Sequence, residues 1–412
     1  MGVIAFDARS VRKVYTGLGR VAGNLIRSIA HLDDENEYIL IQRSSLKEPI
    51  VSDRRFRIVY FPYDIASLRN AFYFGRILQR YQPSVYHSLR DFLPLCVPNT
   101  VKTVVTAHDF NWVQRPSIAA PVPWKGWVNS LYGQPMHAHT IRVADHIVCI
   151  SQQTKRDLFS LYPETQKPVS VIHHGVNRED FGYGNIGSKI RVYGKTRYIL
   201  SVGHGRPYKN PEGTMRAFAR IKRQPRHVDV RLLVVGRGDT RSRLQALARR
   251  LNIENHIDFV GLVSNAELAF LMQHALLLSF PSLWEGFGLP VIEAFTFGCP
   301  VIASNVASLK EIATGAAWMI NDPGSVTEIA AAMRTIINNI SVRERLRQHG
   351  LKRAKQFTWD RAAQAYVEIY KQLMNEIAFE QDLRTVKHYV RDHGVQKHPL
   401  KVPQPQTLRT PK

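Results

Sequence analysis

Cysteine, acidic side chains and long apolar runs are all scarce in this chain of 412 residues. Its three cysteines, Cys96, Cys149 and Cys299, lie far apart in apolar surroundings and lack C-x-x-C spacing, which argues against a zinc site and a disulfide framework. We expect all three to be buried small hydrophobes in a reducing compartment. No segment approaches the ~20 apolar residues that span a bilayer, and the first residues lack the features of a signal peptide. These absences favour a cytoplasmic protein, soluble or peripheral to a membrane.

The shortage of acidic residues leaves a large positive charge. There are 33 Asp and Glu against 56 Lys and Arg, so the formal net charge is +23, an excess typical of proteins that bind nucleic acids. The excess is regional, because residues 201–250 hold thirteen basic and three acidic residues whereas residues 251–300 hold neither Lys nor Arg. No zinc-finger, RNP, KH or basic-zipper pattern occurs. We therefore expect no nucleic-acid partner and interpret the basic runs as solvated helix faces or as anion-binding surfaces.

Apolar residues make up 44% of the chain, which is enough for two or three domain cores. Short β-branched runs alternate with amphipathic stretches, and this βαβ rhythm predicts doubly wound parallel sheets covered by helices on both faces. A stretch rich in glycine and polar residues around 178–195 predicts a hinge between two α/β units. We expect four parts: an N-terminal Rossmann-like domain over 1–185, a second over 186–358, a helix over 359–377 that returns to the first domain, and a basic, disordered tail over 378–412.

The most informative string is EGFGLPVIE, in which Glu285 and Glu293 are eight residues apart. Pro290 suits the first helical position, so the string predicts a loop and then a helix whose N-cap, Leu289, offers no side-chain oxygen. The first helical N–H groups are then free for a ligand, and carboxylates are good acceptors for vicinal hydroxyls. One interpretation is a sugar clamp; the other is a pair of acidic residues that complement a helix dipole.

A second string, SVGHGRPYKN, follows a predicted strand and opens a helix, so Arg206 and Lys209 lie beside the helix N-terminus. Two cations and a helix dipole together form a diphosphate site, although a solvated Lys/Arg pair is the alternative. Gly236 and Leu262 follow neighbouring strands of the same unit. Their loops are expected to line a nucleotide pocket at the carboxyl ends of the second sheet.

In the first unit, Gly17 and Gly19 formally fit the dinucleotide pattern G-x-G-x-x-[G/A]. A dehydrogenase is not indicated, because about ten residues separate these glycines from the first strand. The pair is either a glycine turn that receives phosphate at a helix start or a loop without a ligand. His108 ends another strand, where it is positioned to contact a substrate in the cleft, although an isolated histidine is more often structural.

Taken in order, seven strings resemble the family 4 glycosyltransferases of the GT-B fold, over roughly residues 1–377: TGLGR, VVTAHDF, ADHIVCISQQTKRDL, VIHHGVN, SVGHGRPYKN, FVGLVSNAEL and the E-x7-E pair. Within that family the chain is similar to bacterial mannosyltransferases of O-antigen and exopolysaccharide assembly. The resemblance implies retaining transfer of a hexose, with mannose favoured, from a nucleoside-diphosphate sugar to a saccharide or lipid-linked acceptor. It also implies that the enzyme needs no cofactor and no divalent metal, since Lys and Arg do the work of an ion.

The resemblance further implies roles for residues of the string EGFGLPVIE. Glu293 would bind the ribose hydroxyls, and Glu285 would bind the donor sugar. The backbone amides of Phe287, Gly288 and Leu289 would hold the sugar and the diphosphate.

The remaining implied roles concern the phosphates and the facing domain. Lys209 would bind the phosphates, the glycine pair of TGLGR would approach the diphosphate, and His108 would contact the donor sugar near the reacting centre. The family's arginine, five residues before the lysine, is replaced here by His204, and Arg206 is the expected substitute. Closure of the hinge would complete the site.

Two other classes of protein fit the same motifs. One is a sugar-nucleotide-binding protein without catalytic activity. The other is a GT-B relative of different chemistry, such as a sugar-nucleotide epimerase or a phosphorylase.

A basic and aromatic segment over 67–81 bears on location. Arg69, Arg76 and Arg80 recur there at helical spacing among large apolar residues. This pattern predicts either a helix that lies on an anionic membrane surface, on the inner face of the cytoplasmic membrane, or a core-facing helix with a solvated flank.

Overall fold

The chain forms two parallel β-sheets, one after the other along the sequence. The computed structural model describes residues 2–11, 17–43, 49–63, 67–115, 123–182, 184–203, 205–236 and 241–393. The first sheet ends at Val171 and the second begins at Tyr198, so the predicted division after residue 185 falls between the sheets.

The first sheet has seven strands. They are β1 Val3–Asp7, β2 Glu37–Gln42, β3 Phe56–Tyr60, β4 Val85–Ser88, β5 Lys102–Ala107, β6 His146–Cys149 and β7 Val169–Val171. Their order is β3-β2-β1-β4-β5-β6-β7, with every neighbouring pair parallel. The order reverses between β1 and β4, and ligands of such sheets bind at the carboxyl ends of the strands beside this switch point.

Five helices accompany the first sheet in the described part of the chain. They are α1 Gly17–Leu32, α2 Leu68–Tyr81, α3 Asn111–Gln114, α4 Pro123–Val143 and α5 Gln152–Leu161. Serine hydroxyls cap two of them, since Ser67 accepts from the backbone N–H of Asn70 and Ser151 accepts from that of Thr154. The sequence predicts α4 only near 136–145; the helix begins earlier, and Pro135 lies inside it.

The second sheet repeats the same winding with six strands. They are β8 Tyr198–Val202, β9 Arg231–Val235, β10 Ile257–Gly261, β11 Leu277–Phe280, β12 Val301–Ser304 and β13 Trp318–Ile320. The order β10-β9-β8-β11-β12-β13 is again wholly parallel and reverses between β8 and β11. The predicted fold class, two Rossmann-like doubly wound domains, is confirmed.

Eight helices accompany the second sheet among the residues that the structure describes. They are α6 Ser188–Arg191, α7 Pro211–Lys222, α8 Arg241–Arg250, α9 Asn265–His274, α10 Leu289–Thr296, α11 Ala307–Ala313, α12 Val326–Asn338 and α13 Ile340–Ala354. Single 3₁₀ turns at Arg178–Phe181 and Val192–Lys195 flank α6 in the predicted hinge. Ser264 and Glu267 form a capping box at the start of α9.

The last helix, α14, extends over Trp359–His393. It therefore continues beyond residue 377, where the sequence analysis has it end, and residues 378–393 are helical rather than part of a tail. The first residue that strongly predicts a helix end is Gly394. Within the additional helical residues, the Glu380 carboxylate lies 2.8 Å from Nζ of Lys102, at the start of β5. Residues 394–412 lie outside the described residues. None of the helices in the described ranges is both long and apolar enough to cross a membrane.

One face of α14 belongs to the core of the first domain, where it packs on α1. The buried residues of this face are Trp359, Ala362, Ala363, Tyr366, Ile369, Tyr370 and Leu373. Buried polar atoms between helix and sheet are paired: the Tyr370 hydroxyl lies 2.6 Å from His87 Nδ1, and the Tyr366 hydroxyl lies 2.9 Å from Thr106 Oγ1. Burial lowers the pKa of His87 to about 3, so the histidine is neutral in this network.

The cysteines depart from expectation at one position. Cys149 and Cys299 are buried, and burial raises the pKa of each thiol to about 12. Cys96 is exposed, and the backbone of its segment lies against Gly75 of α2.

The packing of α14 on the first domain is testable with two adjacent substitutions. Leu373→Ala should lower the free energy of unfolding by about 2–4 kcal/mol, because it leaves a cavity in that core. Gln372→Ala, at an exposed position of the same helix, should change it by less than about 0.5 kcal/mol. Urea denaturation followed by circular dichroism measures both, and equal effects would contradict the packing.

Candidate active site

A cavity of about 410 Å³ lies between the two domains. Its walls come from the start of α1, the loop after β5, the loop after β8 and the segment that joins β11 to α10. The cavity thus lies where carboxyl ends of strands from both sheets meet, as doubly wound sheets predict. Its volume is in the range of sites that hold small organic ligands.

The loop Glu285–Gly288 forms the floor of the cavity. Each of its two glycines is required for a different structural reason. A Cβ on Gly286 would lie 2.7 Å from the carbonyl oxygen of His108, so only glycine fits against the first domain. Gly288 has φ +108° and is the N-cap of α10, one residue earlier than predicted, with Pro290 at the second helical position. No side chain in the described ranges caps this helix. Pro290 has no N–H and the N–H of Val291 donates to the carbonyl oxygen of Gly288 at 2.9 Å, so the first helical N–H beside the cavity is that of Leu289.

Two buried serines hold this loop from opposite sides. Ser308 Oγ, in α11, lies 2.9 Å from the carbonyl oxygens of both Glu285 and Phe287. Ser151 Oγ, in the first domain, donates to the carbonyl oxygen of Gly286 at 3.0 Å. Neither serine is predicted from the sequence: Ser151 lies in the ADHIVCIS string without a function assigned, and Ser308 carries no motif signal.

Lys209 and Glu285 form an ion pair inside the cavity. Lys209 ends a 3₁₀ turn before α7, and its Nζ lies 2.7 Å from Oε1 and 2.8 Å from Oε2 of Glu285. The side chain of Glu285 is buried, and Nζ also lies 4.8 Å from the ring centroid of Phe280. The residue predicted to bind phosphate and the residue predicted to bind the sugar are therefore adjacent, and their opposite charges neutralise each other.

Glu293 pairs with a residue that the sequence analysis did not assign. Its Oε1 lies 2.6 Å from Nη2 of Arg20, which belongs to α1 of the first domain. The guanidinium also lies 5.2 Å from the ring centroid of Phe181. Arg20 is the last residue of the TGLGR string, in which only the two glycines were predicted to contact a ligand.

His108 lines the cavity, but its ring nitrogens contact protein atoms. Nε2 donates to the carbonyl oxygen of Leu89 at 3.0 Å, and Nδ1 lies 3.4 Å from Nε2 of His174. Burial lowers the pKa of both histidines, so the pair is neutral. In this state the ring has the satisfied contacts of a structural histidine, and its predicted contact with a donor sugar stays a prediction.

Asp109, beside His108, is a carboxyl group whose environment opposes ionisation. It lines the cavity, and its Oδ1 accepts from the backbone N–H of Asn111 at 3.0 Å. Burial, followed by the charges of Asp91 and Glu285, raises the pKa of Asp109 to about 7.

The structure brings most of the predicted residues to this one cavity. Among its lining residues are Gly17, His108, Lys209, Glu285, Phe287, Gly288, Leu289 and Glu293. Gly17 is the first residue of α1 rather than part of a preceding turn, and Gly19 is buried within the helix. Arg206, Gly236 and Leu262 are not among the lining residues, and His204 lies outside the described residues. The described ranges hold no group of three His, Cys, Asp or Glu side chains placed to bind a metal ion.

Two Rossmann-like domains that enclose a cleft at the carboxyl ends of both sheets define the GT-B fold, as predicted, and solved structures share it. Sucrose-phosphate synthase from Thermosynechococcus elongatus superposes with a TM-score of 0.72 at 19% identity, over 91% of this chain and 100% of that chain. WaaG, a glycosyltransferase involved in lipopolysaccharide biosynthesis, gives 0.69 at 17% identity, over 89% and 99%. Anabaena HepE in complex with UDP and glucose gives 0.64 at 16% identity, over 90% and 100%.

Family models match most of the sequence. Residues 15–180 match Glycosyltransferase Family 4, and residues 185–353 match Glycosyl transferases group 1. The chain belongs to the glycosyltransferases that these two models describe, as its motifs predicted.

Curated relatives include enzymes of polysaccharide assembly. The O-antigen chain mannosyltransferase B of Escherichia coli is 35% identical over 176 residues, which are 43% of this chain and 46% of that protein. The O-antigen chain mannosyltransferase RfbU of Salmonella typhimurium is 27% identical over 225 residues, which are 55% and 58%. The chain thus spans about half the length of the curated relatives it matches.

The raised pKa of Asp109 predicts a pH-dependent stability. Because the folded-state pKa of about 7 is above that of the unfolded chain, this group stabilises the fold at acid pH and loses that effect as pH rises through 7. Asp109→Asn keeps the acceptor for Asn111 without the charge, so the melting temperature of the variant minus that of the wild type should increase from pH 5 to pH 8. Differential scanning fluorimetry measures this, with exposed Asp34→Asn as the control. A difference that does not vary with pH would contradict the assignment.

Proposed function

We propose that this protein is a retaining, metal-independent hexosyltransferase. It moves a hexose, with mannose favoured, from a nucleoside-diphosphate sugar to a saccharide or lipid-linked saccharide acceptor in cell-surface polysaccharide synthesis. The proposal depends on one observation: Glu285, Glu293 and Lys209 converge with the uncapped start of α10 on a single interdomain cavity.

The chemistry of these groups matches the parts of such a donor. Glu285 and Glu293 are buried carboxylates, which accept hydrogen bonds from sugar and ribose hydroxyls. The backbone N–H groups of Phe287, Gly288 and Leu289, which lead into α10 and line the cavity, and the ammonium of Lys209 suit a diphosphate, which is an oxygen-rich anion. The UDP and glucose of the HepE complex, in a protein of the same fold, support a nucleotide-sugar ligand.

The identity of the hexose and of the pathway rests on the relatives. Two of them are named as O-antigen chain mannosyltransferases, and WaaG is described as acting in lipopolysaccharide biosynthesis. These names support mannose as the sugar and a growing cell-surface saccharide as the acceptor.

In the proposed reaction, the bond between the anomeric carbon and the β-phosphate oxygen breaks, and the nucleoside diphosphate leaves with the bonding electron pair. The acceptor hydroxyl oxygen bonds to the anomeric carbon from the same face, and its proton passes to the departing phosphate. Negative charge grows on that phosphate, where Lys209 and the backbone N–H groups that lead into α10 offset it. These groups supply the positive charge that a divalent ion would otherwise supply.

Donor binding and transfer test the proposal directly. We expect one of GDP-mannose, UDP-glucose and ADP-glucose to raise the melting temperature of the protein, since a ligand that binds only the folded state stabilises it. Lys209→Ala and Glu293→Ala should each lower kcat/KM for that donor roughly a hundredfold. Exposed Lys310→Ala and Glu254→Ala, outside the cavity, are the matched controls. Wild-type kinetics in both cavity variants would refute the assignment.

The alternative functions give different outcomes in the same assay. A binding protein without activity would show the thermal shift but neither hydrolysis nor transfer. An epimerase would change the donor in the absence of an acceptor, and a phosphorylase would require inorganic phosphate. For the proposed enzyme, transfer continues in EDTA and the product keeps the anomeric configuration of the donor.

We also propose that α2 rests on an anionic membrane surface on the cytoplasmic side. Phe74 and Leu78 are buried, so one side of the helix faces the core. On the rest of the helix, Phe72 is 61% exposed and Tyr73 is 49% exposed. Arg76 stacks on Tyr73 with its guanidinium carbon 5.1 Å from the ring centroid. Exposed aromatic rings beside arginines suit the interface of a bilayer with anionic lipids.

Vesicle binding tests this second proposal. Phe72→Ala should lower co-sedimentation with vesicles of phosphatidylglycerol and phosphatidylcholine severalfold at low salt, because the exposed ring no longer inserts. Phe379→Ala removes a ring that is 65% exposed on α14, distant in sequence, and should leave binding unchanged. Failure of the wild type to co-sediment, or equal losses in the two variants, would refute the membrane role of α2.

A further inference from the structure

The ion pair between Arg20 and Glu293 spans the cleft. Arg20 lies in the first turns of α1 in the first domain, and Glu293 lies one turn into α10 in the second. Nη2 and Oε1 are 2.6 Å apart, with the Glu293 side chain 4% exposed and that of Arg20 22% exposed. Both residues line the cavity. A direct contact therefore joins the two walls of the donor site before any donor is bound.

This contact conflicts with the function proposed for Glu293. The following inference rests on that proposed function, in which the carboxylate binds the ribose hydroxyls. Because Glu293 is almost wholly buried, few directions of approach to its oxygens remain open, and Arg20 occupies one of them. A ribose diol and the guanidinium thus compete for the same carboxylate.

The charges of the cavity indicate where the guanidinium goes. Among the described lining residues, the cations are Arg20 and Lys209, whereas Asp109, Glu285 and Glu293 are acidic. Lys209 is already paired with Glu285. A diphosphate carries more negative charge than the single ammonium of Lys209, already shared with Glu285, balances, so a diphosphate in this cavity favours a second cation.

Arg20 is suited to that task by its position and by its side chain. It lies on the same first turns of α1 as Gly17, which also lines the cavity, and a helix start is a favourable place for phosphate. A planar guanidinium binds two phosphate oxygens at once, which an ammonium does not. The Phe181 ring, 5.2 Å away, contacts the guanidinium without holding its hydrogen-bond donors.

We propose that Arg20 exchanges partners when the donor binds. In the donor-free protein it neutralises Glu293 and joins the two domains. When the ribose displaces it from the carboxylate, it binds the diphosphate of the same donor molecule. Arg20 thereby makes recognition of the diphosphate conditional on recognition of the ribose.

The proposal predicts opposite effects on two parts of the ligand. Arg20→Gln removes the competitor for Glu293, so the Kd of a nucleoside should be unchanged or lower. The same substitution removes a charged ligand of the diphosphate, so the Kd of a nucleoside diphosphate should rise roughly tenfold to a hundredfold. Arg20→Lys keeps the charge without the planar fork and should give an intermediate loss.

Isothermal titration calorimetry with three ligand series measures these effects. The probes are guanosine, GMP and GDP, the matching uridine series and the matching adenosine series. Arg216→Gln is the matched control, because it makes the same change of charge at an exposed residue of α7 that does not line the cavity. The ratio of diphosphate to nucleoside affinity is measured within one variant, so a change in stability does not imitate the effect.

The outcomes separate this inference from the proposed function. A loss confined to the diphosphates, absent in Arg216→Gln, supports the exchange. Equal loss for nucleoside and diphosphate means that Arg20 merely orients Glu293, and unchanged diphosphate affinity means that it never reaches the phosphates; either result overturns the inference alone. Absence of binding by the wild type in all three series overturns the proposed function and the inference together.

Discussion

The site depends on one close contact, between Gly286 of the second domain and the backbone carbonyl of His108 in the first. A methyl group at Gly286 would lie 2.7 Å from that oxygen, so any side chain there would force the loops of the two domains apart. With the contact in place, Ser151 and Ser308 hold the loop from either side, and Glu285 is held at Lys209. The geometry of the cavity follows from this approach of backbone to backbone.

The carboxylates proposed to bind the donor are paired with cations even without a ligand. Each proposed donor-binding carboxylate has a cation within 3 Å, Glu285 from its own domain and Glu293 from the opposite one. Burial of an unpaired carboxylate is costly, so these pairs let the site exist without a ligand. A polar ligand must then replace existing contacts rather than fill an apolar void. Such a site favours molecules that offer hydroxyls and phosphates together over molecules that offer only one of them.

The sequence predicts features that depend on one short segment better than contacts between segments far apart in the chain. The alternating pattern predicted both sheets, and the motifs predicted Glu285, Glu293 and Lys209, because each motif is contained in one short segment. The pairing of Arg20 with Glu293 and the role of Ser308 depend on segments far apart in the chain, whose distance no local pattern encodes. The length of α14 was underestimated because an amphipathic pattern weakens where a helix leaves the core, whereas the helix itself continues to the next glycine.

The return of α14 has a consequence for the order of events during synthesis. The chain crosses between the domains twice, and the crossings touch: a Cβ on Gly175 would lie 2.0 Å from the backbone nitrogen of Trp359. The first domain is therefore discontinuous, and its α1 face stays uncovered while the ribosome makes the whole of the second domain. Its core closes only after residues up to Leu373 have emerged. In this protein the half made first is the half completed last, and it remains exposed to association with other nascent chains for that interval.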